Sequence, residues 1–574
     1  MRTFKQHHRR QTVSLNGLWQ FRIDPDGIGE KAGWFARFPS ESDAMPVPGC
    51  WNNEIGYYNY EGAAWYRTSF VLVENRSIRL LFGAVLGYAK VYMDSVLVAE
   101  HEGGFTPFQC ILHNVPPGKH ELIIRTDNTS DDATVPYRIV DWHHYGGIHR
   151  SVELQLLPDH YIHHVKIDYS LNDALTQAAL SIETEVVSLS SKLQQVPLQV
   201  RIGEGDMVLT ETTSLQPGES RIVRFTCTMD DIALWQVGKP ALYTISVSTD
   251  QDDYIDRIGF RKIEVADGQV LVNGQPLYMQ GVNRHEEHPE WGFAFPEKLM
   301  KKDLDIIEQA GCNSIRGAHY PQNPYWLDLL DERGIVYWAE VPVWGAHMPV
   351  EVFANSVYQE KAAIMMEEMI RRDYHHPSIL FWSAHNEIDT RTKEAYQFSE
   401  LMVNRIRKLD HTRLVAYASH FPMEDIVMDL FDVIGINKYD GWYRGDVEEF
   451  QPFLEQFETY SRQHGGSDKP WIMTEFGAAG IYGDTGWEPR LFSEDYQAHV
   501  VETALRIFRR HKRIQGTFVW QFADVRADLH SDKTTFRDRA RGFNNKGIVN
   551  EYRKPKLAYR AVQRVYREQR DNEH

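Results

Sequence analysis

The spacing of apolar and polar residues divides the chain into three zones. In the first zone, short alternating or apolar runs at residues 77–82, 89–93, 96–100 and 121–125 are separated by Gly, Pro, Asn and Asp. Runs of this length between turn residues are typical of antiparallel strands. Because no clear helical period interrupts them, we predict a jelly-roll-like β-sandwich over residues 1–158.

The second zone, residues 159–266, shows the same pattern of short apolar or alternating runs between turn residues. Its candidate strands lie at residues 165–169, 179–187, 196–202, 221–228 and 243–248. An immunoglobulin-like β-sandwich needs about seven short strands in roughly 100 residues, and this zone has room for them. The cysteine and tryptophan spacing of antibody domains is absent. The prediction is therefore an immunoglobulin-like architecture and nothing more specific.

In the third zone, residues 267–574, helical periods alternate with short apolar strands. The helical periods cover residues 296–310, 324–333, 357–373, 392–409, 447–463, 494–511 and 557–568. The strands cover residues 277–282, 313–316, 335–340, 378–383, 414–418, 433–436, 471–474 and 516–520. Eight strands that alternate with helices over roughly 300 residues predict a catalytic (β/α)8 TIM barrel. The alternative is a doubly wound open sheet, but no Gly-rich nucleotide turn follows any of these strands.

The residues that follow the barrel strands are unusually polar, aromatic and acidic. In a barrel of this kind, the carboxyl ends of all eight strands meet at one mouth. The first strand is followed by residues 283–286, the second ends with Arg316 before His319, and the third ends at Glu340. Strands four, six, seven and eight lead to Asn386-Glu387, Asn437-Lys438-Tyr439, Glu475 and Trp520. A barrel with a purely structural role does not need these groups at its mouth.

Glu387 and Glu475 are the candidates for catalysis. A single glutamate at a strand end is more often a surface salt-bridge partner. The fourth and seventh strands, however, lie on nearly opposite sides of the ring, so these two carboxyls can meet across the mouth, where two uncompensated carboxylates repel. Paired carboxyls that flank a sugar perform glycoside hydrolysis, with one protonated and the other ionised. Asn386 is a candidate donor to the sugar 2-hydroxyl, and Trp520 offers an apolar face to the ring.

Composition excludes several partners. The 574 residues carry 80 acidic and 62 basic side chains, a net charge of -18. Nucleic acids and anionic membranes would be repelled by such a surface, so we expect neither as a partner. Four cysteines do not form a disulfide framework, and the first residues have no apolar core of a signal peptide. We expect a cytoplasmic protein. His285 and His288 lack a third ligand, so we predict no metal and no cofactor.

Several of these segments resemble glycoside hydrolase family 2. The segment Trp382-Ser383-Ala384-His385-Asn386-Glu387 resembles the acid/base motif of that family, and Thr474-Glu475-Phe476-Gly477 resembles its nucleophile motif. Residues 313–321 resemble a further motif of the barrel, and residues 47–49, 65–67, 103–108 and 145–150 resemble the N-terminal sandwich. The resemblance covers essentially the whole chain. It implies Glu387 as acid/base, Glu475 as nucleophile, and a homo-oligomeric enzyme that needs no cofactor.

Within the family, Asn544-Asn545-Lys546-Gly547 resembles the Asn-x-Lys motif with which β-glucuronidases bind the substrate carboxylate. Electrostatics agree, because a uronate that enters an acidic mouth needs a local cation, and Lys546 supplies one. The resemblance also implies that Tyr439 lies beside the nucleophile and Tyr443 at the carboxylate. It implies that Asp141 and His319 contact the sugar. For the arginine at the carboxylate, Arg541 is our candidate and Arg539 the alternative.

The sequence therefore predicts a retaining, exo-acting β-glycosidase that hydrolyses small-molecule or oligosaccharide β-D-glucuronides through a covalent glycosyl-enzyme. A β-galacturonidase or β-galactosidase with the same mechanism is the nearest alternative. An inactive carbohydrate-binding protein on the same fold is an alternative of another class. A scaffold of β-sandwiches is a third, although it does not explain a polar barrel mouth.

Overall fold

The computed structural model describes residues 2–203, 207–527 and 539–572. The first part of the chain forms two antiparallel sheets. One has four strands, in the spatial order Gln11–Ser14, Val152–Leu157, Arg76–Phe82 and Phe108–Val115. The other has six, in the order Asp43–Val47, Gly17–Asp24, Ala63–Leu72, Gly118–Asp127, Gly87–Met93 and Val96–Gly103. Their apolar side chains, Phe21, Tyr66, Leu80 and Ile124 among them, form one buried cluster. The predicted β-sandwich is confirmed.

The second part also consists of two antiparallel sheets. One sheet has the order His160–Leu171, Gln177–Ser188 and Ser220–Asp230. The other has the order Met207–Leu215, Gln194–Ile202, Tyr243–Ser248 and Asp253–Ile258. These are seven strands, as an immunoglobulin-like sandwich requires. The alternating pattern of the strand Gln177–Ser188, in which every second residue is buried, shows why the sequence folds this way.

The third part is a closed barrel of eight parallel strands. In order, they are Met279–Arg284, Ser314–Gly317, Val336–Glu340, Ile379–Asn386, Leu414–Ser419, Ile434–Asn437, Trp471–Glu475 and Ile514–Val519. The first strand pairs with the eighth in parallel register, Met279 opposite Gly516, and so closes the ring. The eight strands are those that the sequence predicts, and the TIM barrel is confirmed. A small sheet of Ile263–Ala266, Gln269–Val272 and Gln275–Pro276 precedes them.

Helices surround the barrel. They span Glu297–Gln309, Pro324–Arg333, Val350–Phe353, Ser356–Asp373, Lys393–Leu409, Phe450–Gln463, Glu494–Arg510 and Leu557–Asn572. In Ser356–Asp373, Asn355 caps the first turn by accepting a hydrogen bond from the backbone N–H of Val357. The residues on its apolar face, Met365, Met366 and Met369 among them, are all buried. Short 3-10 turns lie at Trp51–Asn53, Ile55–Tyr57, Met428–Leu430, Val447–Glu449 and Ala540–Gly542, and a two-strand ribbon joins Val525–Arg526 to Phe543–Asn544.

Large side chains fill the interior of the barrel. Trp338 stacks on Phe381 with their ring centroids 4.8 Å apart, and Phe518 packs against Trp338. Val270 and Val272 of the small preceding sheet join the same cluster. The filled interior leaves the mouth of the barrel as the place where a ligand can enter. Across the part of the chain that the structure describes, no helix has the length and apolar character that crossing a membrane requires.

Candidate active site

Glu387 and Glu475 lie in one cleft at the mouth of the barrel. Glu475 is the last residue of the seventh strand, and Glu387 directly follows the fourth. Both line a cavity of about 590 Å³. Glu387 has a φ of 56°, in the left-handed region that non-glycine residues rarely adopt. Such strain is typical of functional sites, where the surrounding structure fixes the side chain.

The Glu387 carboxyl accepts a hydrogen bond at one oxygen, and among the described residues no hydrogen bond reaches the other. Its Oε1 accepts a hydrogen bond of 2.7 Å from Nδ2 of Asn437. Its Oε2 lies 3.9 Å from Nδ1 of His420, which is too far for a hydrogen bond. Burial raises the pKa of Glu387 to about 7, against the Asn437 bond and the charge of Arg316, which lower it. Glu387 is therefore suited to carry a proton near neutral pH.

The ionised form of Glu475 accepts more hydrogen bonds than that of Glu387. Nη1 of Arg316 donates to its Oε1 at 2.8 Å, and the Tyr439 hydroxyl donates to its Oε2 at 2.6 Å. Burial and then repulsion from Glu387 raise the pKa of Glu475, whereas Arg316, His319 and Tyr439 oppose that rise. When Glu387 holds its proton, the repulsion disappears and the donors remain. Two donors, Arg316 and Tyr439, thus favour the ionised form of Glu475, whereas Glu387 accepts one such bond, from Asn437.

A buried network behind Glu475 is centred on Arg316. Its guanidinium pairs with both oxygens of Glu340 at 3.0 Å and donates to Oδ1 of Asn386 at 2.7 Å and to Oδ1 of Asn283 at 2.9 Å. Burial raises the pKa of Glu340, but Arg316, His319 and Ser383 together lower it to about 2. The sequence places Arg316, Glu340 and Asn437 at strand ends but assigns them no role. Their position at a strand end is the only sequence feature that could have identified them as part of the site.

Two polar atoms of the predicted sugar-binding residues have no hydrogen-bond partner among the described residues. They are Nδ2 of Asn386 and Nε2 of His319. His319 donates from Nδ1 to Glu340 at 2.8 Å, and its ring stacks on Trp520 with the centroids 5.0 Å apart. A buried polar group without a partner costs about 1–3 kcal/mol. His319 lines the cleft, so its Nε2 is suited to bind a hydroxyl of a ligand, whereas Asn386 is not among the residues that line it.

Lys546 occupies the same cleft and is almost fully buried, with 1% of its surface exposed. Its Nζ donates to the Tyr443 hydroxyl at 2.9 Å and lies 4.9 Å from the ring centroid of Tyr443 and 5.4 Å from that of Trp442. Within the described ranges, no carboxylate lies at ion-pair distance from this ammonium. A buried cation without a counterion is costly, and an anionic ligand would relieve that cost.

The sandwich contributes Asp141, which pairs with an arginine of the barrel. Arg539 donates from Nε to Oδ1 of Asp141 at 2.9 Å, and Nδ2 of Asn544 donates to Oδ2 at 2.8 Å. Asp141 and Arg539 line the cleft, whereas Asn544 supports Asp141 from behind it. The preference for Arg541 needs correction. Arg541 is outside the cleft and pairs with Glu551 at 3.2 Å, because neighbouring residues of a tight turn project in different directions.

Elsewhere in the described part of the chain, two groups of acidic and imidazole side chains have the spacing of metal ligands. One consists of His7, Asp252 and Asp253, and the other of Asp328, Asp331 and His376. Each group already contains an ion pair with an arginine, Arg10 with Asp252 at 2.5 Å and Arg2 with Asp328 at 2.8 Å. Both are accounted for by these contacts, and neither belongs to the cleft.

Known proteins are similar to this chain in sequence and in fold. Residues 263–570 match the family described as "Glycosyl hydrolases family 2, TIM barrel domain", and residues 160–261 match "Glycosyl hydrolases family 2". The chain is 30% identical to a protein named "Beta-glucuronidase" from Streptococcus agalactiae serotype V, over 95% of this chain and 94% of the relative.

Two solved structures illustrate the similarity in fold. A family 2 β-galacturonidase from Eisenbergiella tayi, bound to galacturonate, shares 32% identity, with a TM-score of 0.89 over 99% of both chains. A β-glucuronidase of an uncultured Clostridium species shares 27% identity, with a TM-score of 0.89 over 99% of both chains. The barrel match alone covers more than half of the 574 residues. The chain therefore belongs to glycoside hydrolase family 2.

Proposed function

We propose that the chain is a retaining, exo-acting β-glycosidase that hydrolyses β-D-glucuronides by double displacement. The observation that carries the proposal is the buried ammonium of Lys546, which has no carboxylate partner among the described residues and lines the same cleft as Glu387 and Glu475. Two carboxyls, one protonated and the other ionised, supply the hydrolytic chemistry. The cation supplies a site for the acid group of the sugar.

In the first step, the carboxylate of Glu475 attacks the anomeric carbon. Glu387 gives its proton to the glycosidic oxygen, the bond from that oxygen to the anomeric carbon breaks, and the leaving group departs as an alcohol. Arg316 and Tyr439 hold the attacking carboxylate through hydrogen bonds of 2.8 and 2.6 Å. The product of this step is a glycosyl ester of Glu475.

In the second step, water replaces the leaving group. Glu387, now a carboxylate, takes one proton from the water. At the same time the water oxygen attacks the anomeric carbon, and the ester bond to Glu475 breaks. Two inversions at the same carbon return the β configuration. The pKa of about 7 for Glu387 allows one residue to act first as an acid and then as a base.

Exo action is supported by the contact between the sandwich and the barrel. Asp141 and Arg539 come from these two parts of the chain and pair at 2.9 Å while both line the cleft. We infer that this pair closes one end of the cleft, so that a terminal sugar residue fits more readily than an internal one. Because the pair is internally neutral, it adds no net positive charge for a uronate, whereas Lys546 supplies one.

The test of mechanism is rescue of two alanine variants by azide. With a dinitrophenyl uronide, Glu387→Ala should lose about 10²–10⁴-fold in overall turnover and recover with azide to give the β-azide. Glu475→Ala should lose at least as much and recover to give the α-azide, because azide then attacks from the vacated face. The α-azide from Glu387→Ala would contradict the assignment of roles. Sugar binding by the intact chain without any turnover would favour the inactive binding protein.

The test of specificity is Lys546→Met, with Lys438→Met as the matched control. Both lysines line the cleft, but Lys438 already has a carboxylate partner, Asp440, at 2.8 Å. We expect Lys546→Met to lower kcat/KM for nitrophenyl glucuronide by at least about 100-fold and to affect nitrophenyl galactoside far less. Lys438→Met should retain the preference for the uronide. Equal losses on both substrates for Lys546→Met would contradict a uronate site.

A β-galacturonidase is the second candidate, because the Eisenbergiella tayi relative bound to galacturonate shares 32% identity with this chain. Both uronides carry the carboxylate that Lys546 would bind, and they differ only in the configuration of one hydroxyl. Nitrophenyl glucuronide, galacturonide and galactoside compared side by side separate the candidates. A higher kcat/KM for the glucuronide supports the proposal, a higher value for the galacturonide supports the second candidate, and a preference for the galactoside contradicts both.

A further inference from the structure

The backbone on either side of Lys546 is held by hydrogen bonds from other parts of the barrel. The carbonyl of Asn545 accepts from the backbone N–H of Gly480 at 2.9 Å and from Nζ of Lys556 at 3.0 Å. The carbonyl of Lys546 itself accepts from the backbone N–H of Gln521 at 2.9 Å. Because the Lys546 side chain extends from this backbone, the position of its ammonium depends on these bonds.

Asp524 holds the same loop through its side chain. Its Oδ1 accepts a hydrogen bond of 2.9 Å from the backbone N–H of Gly547, and its Oδ2 accepts one of 3.3 Å from Nδ2 of Asn545. The two backbones approach so closely that a Cβ at Gly547 would lie 2.2 Å from the backbone nitrogen of Asp524. One carboxylate therefore binds both the residue before Lys546 and the residue after it.

Asp524 and Lys556 form an ion pair away from the cleft. Nζ of Lys556 donates to Oδ1 of Asp524 at 2.7 Å, and both side chains are fully buried. The same ammonium donates to the carbonyl of Gly480 at 2.6 Å. Neither member of the pair is among the residues that line the cleft. Because Lys556 balances the charge of Asp524, the pair holds the loop and leaves the positive charge of Lys546 uncompensated.

Stability alone does not require charged groups at this position. A buried ion pair is often no more stabilising than apolar side chains of the same volume, because both ions lose their hydration. What an ion pair supplies in addition is direction, since its donors and acceptors fix the atoms that they contact. A displacement of about 1 Å in a group that binds the substrate can lower activity by about 100-fold.

We propose that Asp524 and Lys556 are positioning residues, which fix Lys546 for the carboxylate of the sugar and thereby set the preference for uronides over neutral sugars. The inference rests on the proposed function and deepens it. The pair acts on specificity through the loop of residues 544–547 and does not touch the substrate. Its effect is therefore expected only while Lys546 is present.

The experiment measures the uronide preference, defined as kcat/KM for nitrophenyl glucuronide divided by that for nitrophenyl glucoside. These substrates differ only in the carboxylate, which the glucoside replaces with a hydroxymethyl group. We expect Asp524→Asn to lower the preference at least about tenfold, mainly through KM for the glucuronide. In a Lys546→Met background, the same substitution should lower it by less than about twofold, because the loop then carries no cation to position.

Two further variants separate positioning from stability. Asp252→Asn breaks an equally buried pair, that of Asp252 with Arg10, outside the cleft. It should lower the urea midpoint of unfolding but retain the uronide preference. Asp524→Asn combined with Lys556→Met leaves no uncompensated charge, so it should be more stable than Asp524→Asn alone. Its uronide preference should stay low, because the Asn545 carbonyl has lost its ammonium donor.

An unchanged uronide preference in Asp524→Asn overturns the inference. A preference that returns together with stability in the double variant overturns it too, because the pair would then be only structural. Losses that multiply when Asp524→Asn and Lys546→Met are combined show that Asp524 acts apart from Lys546, and they also contradict it. An unchanged preference in Lys546→Met alone contradicts the proposed function itself, and the inference falls with it. Should Asp524→Asn not fold, the double variant carries the same test.

Discussion

The hydroxyl of Tyr439 donates to Oε2 of Glu475 at 2.6 Å, so the carboxylate proposed to attack the sugar is held by a phenol from the loop after the neighbouring sixth strand. Burial and the nearby charge of Glu475 keep the pKa of Tyr439 well above its ordinary value. The hydroxyl therefore keeps its proton and remains a donor throughout the reaction. Its hydrogen bond must weaken when Glu475 becomes an ester and must re-form when the ester breaks.

Removal of this donor is expected to slow turnover with little effect on folding. A hydrogen bond to a charged group contributes about 1.5–3 kcal/mol, so Tyr439→Phe should lower kcat by roughly 10- to 150-fold. Tyr443→Phe is the matched control, because the Tyr443 hydroxyl contacts Lys546. It should raise KM for a uronide more than it lowers kcat. Steady-state kinetics of the two variants test the assignment, and the same kinetic change in both would refute it.

The pH dependence of activity should report the protonation of Glu387. Its pKa of about 7 means that the acid form is present below that pH and is lost as the pH rises through it. We therefore expect kcat/KM to fall on the alkaline side with a midpoint near pH 7. A pH profile with an activated and an unactivated uronide checks this. The loss of kcat/KM above the midpoint should be larger for the unactivated leaving group, which depends more on the proton.

Asn437→Ala should move that alkaline midpoint. The hydrogen bond from Asn437 favours the ionised form of Glu387 and so lowers its pKa. Without the bond, the pKa should rise and the midpoint should shift to higher pH, although the overall rate falls because the carboxyl is less well oriented. A midpoint that stays in place, or moves down, would show that Glu387 does not control this limb.

The Arg316 network should also contribute to stability. Arg316→Met leaves the buried carboxylate of Glu340 without its cation, and breaking a buried pair in this way costs about 3–5 kcal/mol. The denaturation midpoint in urea should fall accordingly. Arg224→Met is the control, because Arg224 is 65% exposed and its pair with Glu183 lies on the surface. A similar loss in both variants would contradict a special role for the buried network.

Arg539 and Arg541 provide a direct comparison of neighbouring arginines. Arg539 pairs with Asp141 at the cleft, whereas Arg541 pairs with Glu551 outside it. Arg539→Ala leaves the Asp141 carboxylate without its cation beside an anionic substrate, so KM for a uronide should rise at least about tenfold. Arg541→Ala should change KM by less than about twofold. The reverse result would restore the sequence-based choice of Arg541.

Periodicity of the sequence was sufficient for the architecture. Each barrel strand is a short apolar run, and each main helix has an apolar face, so burial of those residues permits few other arrangements. The same alternation predicts the two sandwiches. Glu387 and Glu475 could also be predicted from the sequence, because the strand ends of a closed barrel must converge on one mouth. Lys546 was identified by its motif, and its charge gave that motif a physical reason.

The partners of these residues depended on the tertiary structure. Arg316 is separated by 159 positions from Glu475 and by 24 from Glu340, and no local pattern indicates that one guanidinium joins both. Asp141 meets Arg539 across 398 positions because the sandwich folds over the barrel mouth. The choice between Arg539 and Arg541 is a matter of side-chain direction within one turn. The sequence therefore determined which elements form and which groups reach the mouth, because burial acts on local periodicity. Only the packed structure decided which groups touch, because contacts over long sequence separations depend on how the elements are placed in space.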